Sequence, residues 1–307
     1  MPSARTTRRY AWLRRIEALD PVADHHEIHR ITAGHEFPWD YQRSLELALY
    51  RTYCVPSISA LLDATGEFAN RPQRRYDDTA LLIAEIAEHG YDSPRGREAL
   101  RVINRAHGRF RITQEDMRYV LTTFIYDPID WIDEFGWRQL SNHERIAAFH
   151  FYREVGKRLG IRDIPTDYAE FRQFKVDYEH ANFRYSETNH RIGVQTRELM
   201  CSWYWPPVRP LVRQAVHGLL SEQMLTAFDF PAAPTWLRKA THQALRARSA
   251  VVRHLPPRTT SRLSNDPHNR TYPGYPNGYH PRDLGAPPPT DIAPSWLATP
   301  QRPPSDH

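Results

Sequence analysis

Lysine is almost absent from this sequence, where arginine supplies nearly all of the positive charge. Of 41 basic residues only Lys157, Lys175 and Lys239 are lysines, and 36 acidic residues leave a formal net charge of +5. The arginines alternate with Asp and Glu, so that no long basic stripe of the kind that tracks a nucleic-acid backbone is formed. We therefore expect no nucleic-acid partner.

Cysteines and long apolar runs are equally scarce. Cys54 and Cys201 are the only cysteines, and both lie among apolar residues, which excludes a disulfide framework. The first twenty residues are charged and lack the apolar core of a secretory signal. No run approaches the length of a membrane span. We expect a cytoplasmic protein with no stable membrane span.

Alternating strand patterns are also missing, and helical periodicity takes their place. Ser141 with Glu144, and Thr113 with Asp116, have the spacing of helix N-terminal caps, and Pro128 is expected to end the second of these helices. The pattern predicts an all-α fold, with a single multi-helix domain over residues 1–255.

The character of the sequence changes after residue 255. Half of the prolines, 13 of 26, lie in residues 256–307 among Ser, Asn, Gly and Tyr. Such a composition buries too little apolar surface to order itself. We expect a disordered proline-rich tail that is dispensable for folding.

Two short helices in residues 75–107 carry polar groups on faces that are otherwise apolar. The helical spacing groups three polar residues of the first helix with three aliphatic ones: Arg75, Asp78, Thr79, Leu82, Ile83 and Ile86. In the second helix Leu100, Ile103 and His107 share a face. Inward polar groups need partners. A cofactor or ligand would supply them, and so would an Arg75–Asp78 ion pair beside a structural histidine.

Segments 50–82 and 103–171 resemble the MpaB-type oxygenases, which are grouped with the rubber oxygenases known as latex-clearing proteins; the likeness extends over roughly residues 35–230. The resemblance implies a globin-like helical core that holds haem b and uses dioxygen to cleave carbon–carbon double bonds of isoprenoid chains. It places Arg75 to Thr79 on an Arg-x-x-Lys-Thr motif, with Asp78 in the position of the lysine. His107 then matches the histidine that ligates the iron.

From the residues and this resemblance we predict a haem-dependent oxygenase that acts on an apolar small molecule with dioxygen. Arg75, Asp78 and Thr79 are the predicted catalytic residues, His107 the iron ligand, and Arg75 and Arg105 the partners of the haem propionates. Two alternatives stay open. One is a non-haem enzyme with His107, Asp78 and another carboxylate around a metal ion, and the other is a non-catalytic helical protein that binds a hydrophobic ligand. The oligomeric state is not predicted.

Overall fold

The structure is a computed structural model that describes residues 8–263, 272–286 and 294–298. It confirms the all-α prediction, since an isolated bridge between Phe110 and Leu297 is the only β-type pairing in these ranges. None of the helices described there has the combined length and apolarity to cross a bilayer. The α-helices are α1 Ala11–Glu17, α2 His25–Ile31, α3 Pro38–Thr52, α4 Pro56–Thr65, α5 Glu67–Asn70, α6 Pro72–His89, α7 Pro94–His107, α8 Gln114–Phe135, α9 Asn142–Arg158, α10 Tyr168–Asn182, α11 Glu187–Ser202, α12 Arg209–Leu219, α13 Glu222–Phe228 and α14 Thr235–Val252.

Local capping explains where several helices begin. The Ser141 hydroxyl accepts from the Glu144 N–H at 3.3 Å while the Glu144 carboxylate accepts from the Ser141 N–H at 2.7 Å, which is the predicted capping box of α9. Ser93 caps α7 in the same manner by accepting from the Gly96 N–H at 2.9 Å. These bonds satisfy backbone donors that have no partner within the helix.

Helix α8 does not end at Pro128, and that prediction is wrong. The helix continues through the proline to Phe135. A proline inside a helix removes one backbone hydrogen bond. Ile129 and Ile132 beyond it are almost completely buried, and Asp127 before it pairs with Arg51 at 3.1 Å. Packing and pairing on both sides of Pro128 therefore outweigh the local break.

The core lies between a few long helices. Helix α3 runs along α8, α9 packs on α2, and α6 packs on α7. The largest buried cluster centres on aromatic side chains that are almost fully enclosed, among them Phe37, Tyr126, Trp137 and Phe151. A second cluster joins the end of α3 to α11, α12 and α13. Helices α3, α6 and α11 each contribute side chains to the lining of one cavity.

The described parts of the proline-rich tail lie on the helical domain, which differs from the sequence expectation for these residues. In residues 272–286, named here the C-terminal strap, Tyr272 and Leu284 are buried, and Leu263, nine residues before Tyr272, is buried as well. The Ala298 N–H also donates to the Arg109 carbonyl at 3.0 Å, and the Arg111 N–H donates to the Trp296 carbonyl at 3.0 Å. The rest of the expected disordered tail, at 264–271, 287–293 and 299–307, lies outside the described residues. The domain boundary after residue 255 stays a prediction.

Candidate functional site

The inner face of α6 carries Arg75 and Thr79, one helical turn apart. An Arg75 Nη1–H donates to the Thr79 hydroxyl, which itself donates to the Arg75 carbonyl at 3.2 Å. The guanidinium also lies over the ring of Phe68, at 5.6 Å from its centroid. These contacts fix the position of a positive charge on the wall of a cavity. The structure thus brings two of the predicted catalytic residues together.

Asp78 faces a different direction, because successive residues of an α-helix are rotated by about 100°. Its carboxylate is buried and accepts from the Tyr275 hydroxyl of the C-terminal strap. Asp77 accepts from the Gly274 N–H at 2.8 Å and Glu85 from the Tyr279 hydroxyl at 2.8 Å. The inward stripe expected from the sequence is therefore divided, with Asp78 bound to the strap rather than to Arg75. A catalytic role for Asp78 stays a prediction.

His107 is the last residue of α7 and lies near Arg75 of α6. Its Nδ1 is enclosed by protein and has no hydrogen-bond partner among the described residues. Burial, together with the smaller effect of the Arg75 charge, lowers the pKa of His107 to about 4. The ring is therefore neutral at pH 7, which leaves a nitrogen lone pair for a ligand. Arg105 is exposed on the same helix, and its binding of a propionate stays a prediction.

Two adjoining cavities lie between α3 and α6. Cavity 1 has a volume of about 400 Å³ including its open mouth, and α5 and α11 complete its walls. Cavity 2, of about 600 Å³ by the same measure, is closed by Phe124 of α8 and by Leu263 and Tyr272 of the tail. Among the described residues, neither His107 nor Asp78 lines either cavity. The wall that both cavities share consists of Glu46, Leu49, Tyr76 and Thr79.

Glu46 is a site residue that the sequence reasoning missed. It accepts from the Tyr76 hydroxyl and pairs with Arg43 at 2.5 Å. Burial raises the pKa of Glu46 to about 7, although Arg43 and Tyr76 oppose the shift. The sequence could have indicated Glu46, because it is the only charged residue in the apolar run Leu45 to Tyr50, where a charge needs a partner. The carboxyl can bind or release a proton close to neutral pH.

The alternative of a non-haem metal site is not favoured by any contact in the structure. In residues 8–263, 272–286 and 294–298, no three His, Cys, Asp or Glu side chains converge where a metal ion could bind. The described residues therefore do not bring a further carboxylate together with His107 and Asp78, as this alternative requires. The His107 Nδ1 remains a buried nitrogen without a hydrogen-bond partner among the described residues.

Comparison with known proteins gives consistent matches. A family model described as ER-bound oxygenase mpaB/B'/Rubber oxygenase, catalytic domain, matches residues 46–254. The "ER-bound oxygenase mpaB" of Penicillium roqueforti (strain FM164) is 36% identical over 155 residues, which are 48% of this chain and 52% of the relative. The "ER-bound oxygenase mpaB'" of Penicillium brevicompactum is 30% identical over 252 residues, 75% of this chain and 59% of the relative. These matches thus span between half and three-fifths of the relatives' length.

Proposed function

Because the chain belongs to the family of ER-bound mpaB-type oxygenases and rubber oxygenases, we propose that it is an oxygenase that uses haem b and dioxygen to oxidise or cleave carbon–carbon double bonds of an apolar, isoprenoid or lipid-like substrate. The proposal follows the family as a whole, and both fungal relatives are named as oxygenases. When bound, the haem would supply the iron that activates dioxygen.

The observation that carries the haem part of the proposal is the state of His107. A buried Nδ1 without a hydrogen-bond partner is a costly arrangement unless a ligand or metal completes it. Because the ring is neutral at pH 7, it needs no deprotonation before it binds iron. We assign His107 as the iron ligand. Arg75 and Arg105 are the proposed partners of the haem propionates.

The other residues bind and orient the reactants. Arg75 is the residue that connects His107 with cavity 1, since it lines the cavity while its charge acts on the imidazole. Thr79 holds the guanidinium in place through its hydroxyl. Leu49 and Met200 give cavity 1 apolar walls that bind a hydrocarbon chain and exclude water. Glu46, whose pKa is raised to about 7 by burial, can bind or release a proton beside the Tyr76 hydroxyl that donates to it.

The cytoplasmic location predicted from the sequence stays a prediction. The two fungal relatives are named as oxygenases bound to the endoplasmic reticulum, and so is part of the family. Fractionation of cells that express the chain, with immunodetection in the soluble and membrane fractions, tests the location directly.

The test of the haem assignment is the absorption spectrum of the purified chain and of its His107→Ala variant. The chain is expressed in cells supplied with a haem precursor. We expect a Soret band for the unaltered chain, and its loss in the variant, or a shifted band that added imidazole restores. The matched control is His150→Ala, which removes a half-buried histidine of α9 and is expected to leave the band unchanged.

Two results would contradict this assignment. Full haem content with an unshifted band in His107→Ala would remove His107 as the ligand and direct the search to His150. A chain that binds no haem under these conditions would remove the haem from the proposal, and metal analysis would then separate a non-haem enzyme from a ligand-binding protein. Oxygen uptake with squalene in detergent tests the oxygenase activity, and its absence in haem-loaded protein would argue against an isoprenoid substrate.

A further inference from the structure

The segment after α11 exposes an unusual amount of apolar surface. Residues 204–211 read YWPPVRPL, and the exposed fractions of Tyr204, Trp205, Val208 and Leu211 are 48%, 72%, 37% and 54%. The three prolines between them are exposed as well. Single exposed apolar residues are ordinary, whereas a contiguous group of this kind marks an interaction surface.

The charge of the same segment has one sign. Between Glu198 and Glu222 the sequence contains no acidic residue. Arg209 is held inside the segment because its Nε–H donates to the Tyr204 carbonyl at 3.1 Å and its Nη2–H to the Ser202 carbonyl at 3.5 Å. No carboxylate in the described part of the chain pairs with Arg209. The surface is therefore apolar, aromatic and positively charged, which is the chemistry of residues at the interface of an anionic bilayer.

This surface is continuous with the wall of cavity 1. Leu199, Met200 and Trp203, which immediately precede it, line that cavity. The Trp203 indole N–H donates to the Gln73 side-chain oxygen at 2.7 Å, and its ring lies 5.0 Å from that of Tyr76. Residues 199–211 thus line cavity 1 at their beginning and expose apolar side chains to solvent at their end.

We propose that residues 204–211 insert into the surface of a lipid bilayer with anionic headgroups, and that apolar substrate passes from this bilayer into cavity 1. The second half of the proposal rests on the proposed function, while the first half does not. Trp205 and Leu211 supply the apolar contact, and Arg209 the attraction to the headgroups. Pro206–Val208 form a 3-10 turn and Arg209 begins α12, so the segment already has a regular backbone and needs no folding on contact.

A second copy of the chain is a less suitable occupant. A stable protein interface buries about 800 Å² on each partner. A complete aromatic side chain offers about 150–250 Å², and here only parts of two aromatic and two aliphatic side chains are exposed. In a two-fold dimer the surface would also meet itself, so that Arg209 would approach Arg209 of the other copy with no acidic residue of this segment to pair with.

The experiment is co-sedimentation of the full-length chain with vesicles of phosphatidylcholine alone or with added phosphatidylserine. We expect binding to the mixed vesicles that weakens as salt is raised. Trp205→Ala with Leu211→Ala is expected to reduce the partition coefficient roughly tenfold or more. The matched control is Trp236→Ala, which removes another exposed tryptophan, 67% exposed, from α14. It is expected to leave the partition coefficient unchanged.

The outcomes decide between the occupants. Equal binding by the double variant, or no vesicle binding by the unaltered chain, would overturn the proposal. A concentration-dependent dimer in analytical ultracentrifugation that the double variant abolishes, without vesicle binding, would identify a second copy as the occupant. Circular dichroism confirms that both variants are folded, as expected for substitutions of exposed residues.

Substrate delivery is tested separately with the haem-loaded chain. Oxygen uptake from squalene in vesicles is expected to fall in the double variant, whereas uptake from squalene in detergent is expected to stay the same. Equal uptake from vesicles by both proteins would overturn the delivery route. Vesicle binding requires neither haem nor turnover, so a chain that binds vesicles but lacks a Soret band contradicts only the proposed function.

Discussion

Two stretches of this protein, residues 204–211 and the C-terminal strap, combine several prolines with aromatic residues, but they differ in how they meet the helices. The C-terminal strap buries Tyr272 to 7% exposure, whereas Tyr204 in the 204–211 segment is 48% exposed. Helix α6 presents buried carboxylates to the strap, and the strap supplies hydroxyl and backbone donors to them. Arg209 of the 204–211 segment instead donates to backbone carbonyls, and no carboxylate of the described residues pairs with it. In this comparison, the stretch that packs is the one that faces a helix with buried hydrogen-bond acceptors, the carboxylates of α6.

The carboxylates also need the strap. Asp77, Asp78 and Glu85 are exposed by 4% or less. Buried carboxylates are costly without donors. Glu85 has an additional partner, since Arg95 Nε–H and Nη2–H donate to it at 2.6 Å each. Asp78 accepts its side-chain hydrogen bond from the Tyr275 hydroxyl of the strap. The strap and α6 therefore stabilise one another, and the difference between the two stretches can be tested by changing either side.

The largest effect is expected from deletion of residues 258–307. The deletion removes the buried Leu263, Tyr272 and Leu284 together with the donors to α6. We expect a loss of about 4 kcal/mol in the free energy of unfolding, and a fall in Tm of about 8 °C, measured by calorimetry. An unchanged Tm would restore the sequence expectation that the tail is dispensable.

A smaller effect is expected from Tyr275→Phe, which leaves Asp78 buried without its donor. The expected loss is about 2 kcal/mol in the free energy of unfolding, measured by urea denaturation. Combining it with Asp78→Ala should cost less than the sum of the two single changes, because both remove the same interaction. Additive losses would mean that the hydroxyl and the carboxylate act independently.

Gly274→Ala tests the close approach of the strap to α6. A Cβ on Gly274 would lie 2.7 Å from Asp77 Oδ2, whose carboxylate accepts from the Gly274 N–H. The carboxylate must move, and we expect a loss of about 1 kcal/mol, again from urea denaturation. A loss that persists when Asp77 is replaced by alanine would place the strain elsewhere in the strap.

The smallest effect is expected in the exposed segment. Tyr204→Phe and Trp205→Ser remove groups that face solvent. We expect changes within about 0.5 kcal/mol in the free energy of unfolding. Tyr204→Phe is the direct counterpart of Tyr275→Phe, since both remove one hydroxyl. A larger loss for Tyr204→Phe than for Tyr275→Phe would reverse the comparison of the two stretches.

Local interactions made much of the helical fold predictable. The Ser141–Glu144 box joins groups three residues apart, and Arg75 and Thr79 are four residues apart. Bonds of this range are formed by the helix itself, whatever the rest of the chain does. Pro128 shows the limit of local rules, because packing around α8 overrides the break.

The amino-acid sequence by itself determined the all-α class, the starts of α8 and α9, the family resemblance and the candidates Arg75, Thr79 and His107. Only the tertiary structure decided that Asp78 binds Tyr275, 197 residues along the chain, rather than Arg75. The same is true of Glu46, whose raised pKa depends on how α3 and α6 enclose it. The physical reason is distance along the chain: a contact between residues three or four apart is set by helix geometry, whereas a contact between remote segments is set by how the whole chain packs.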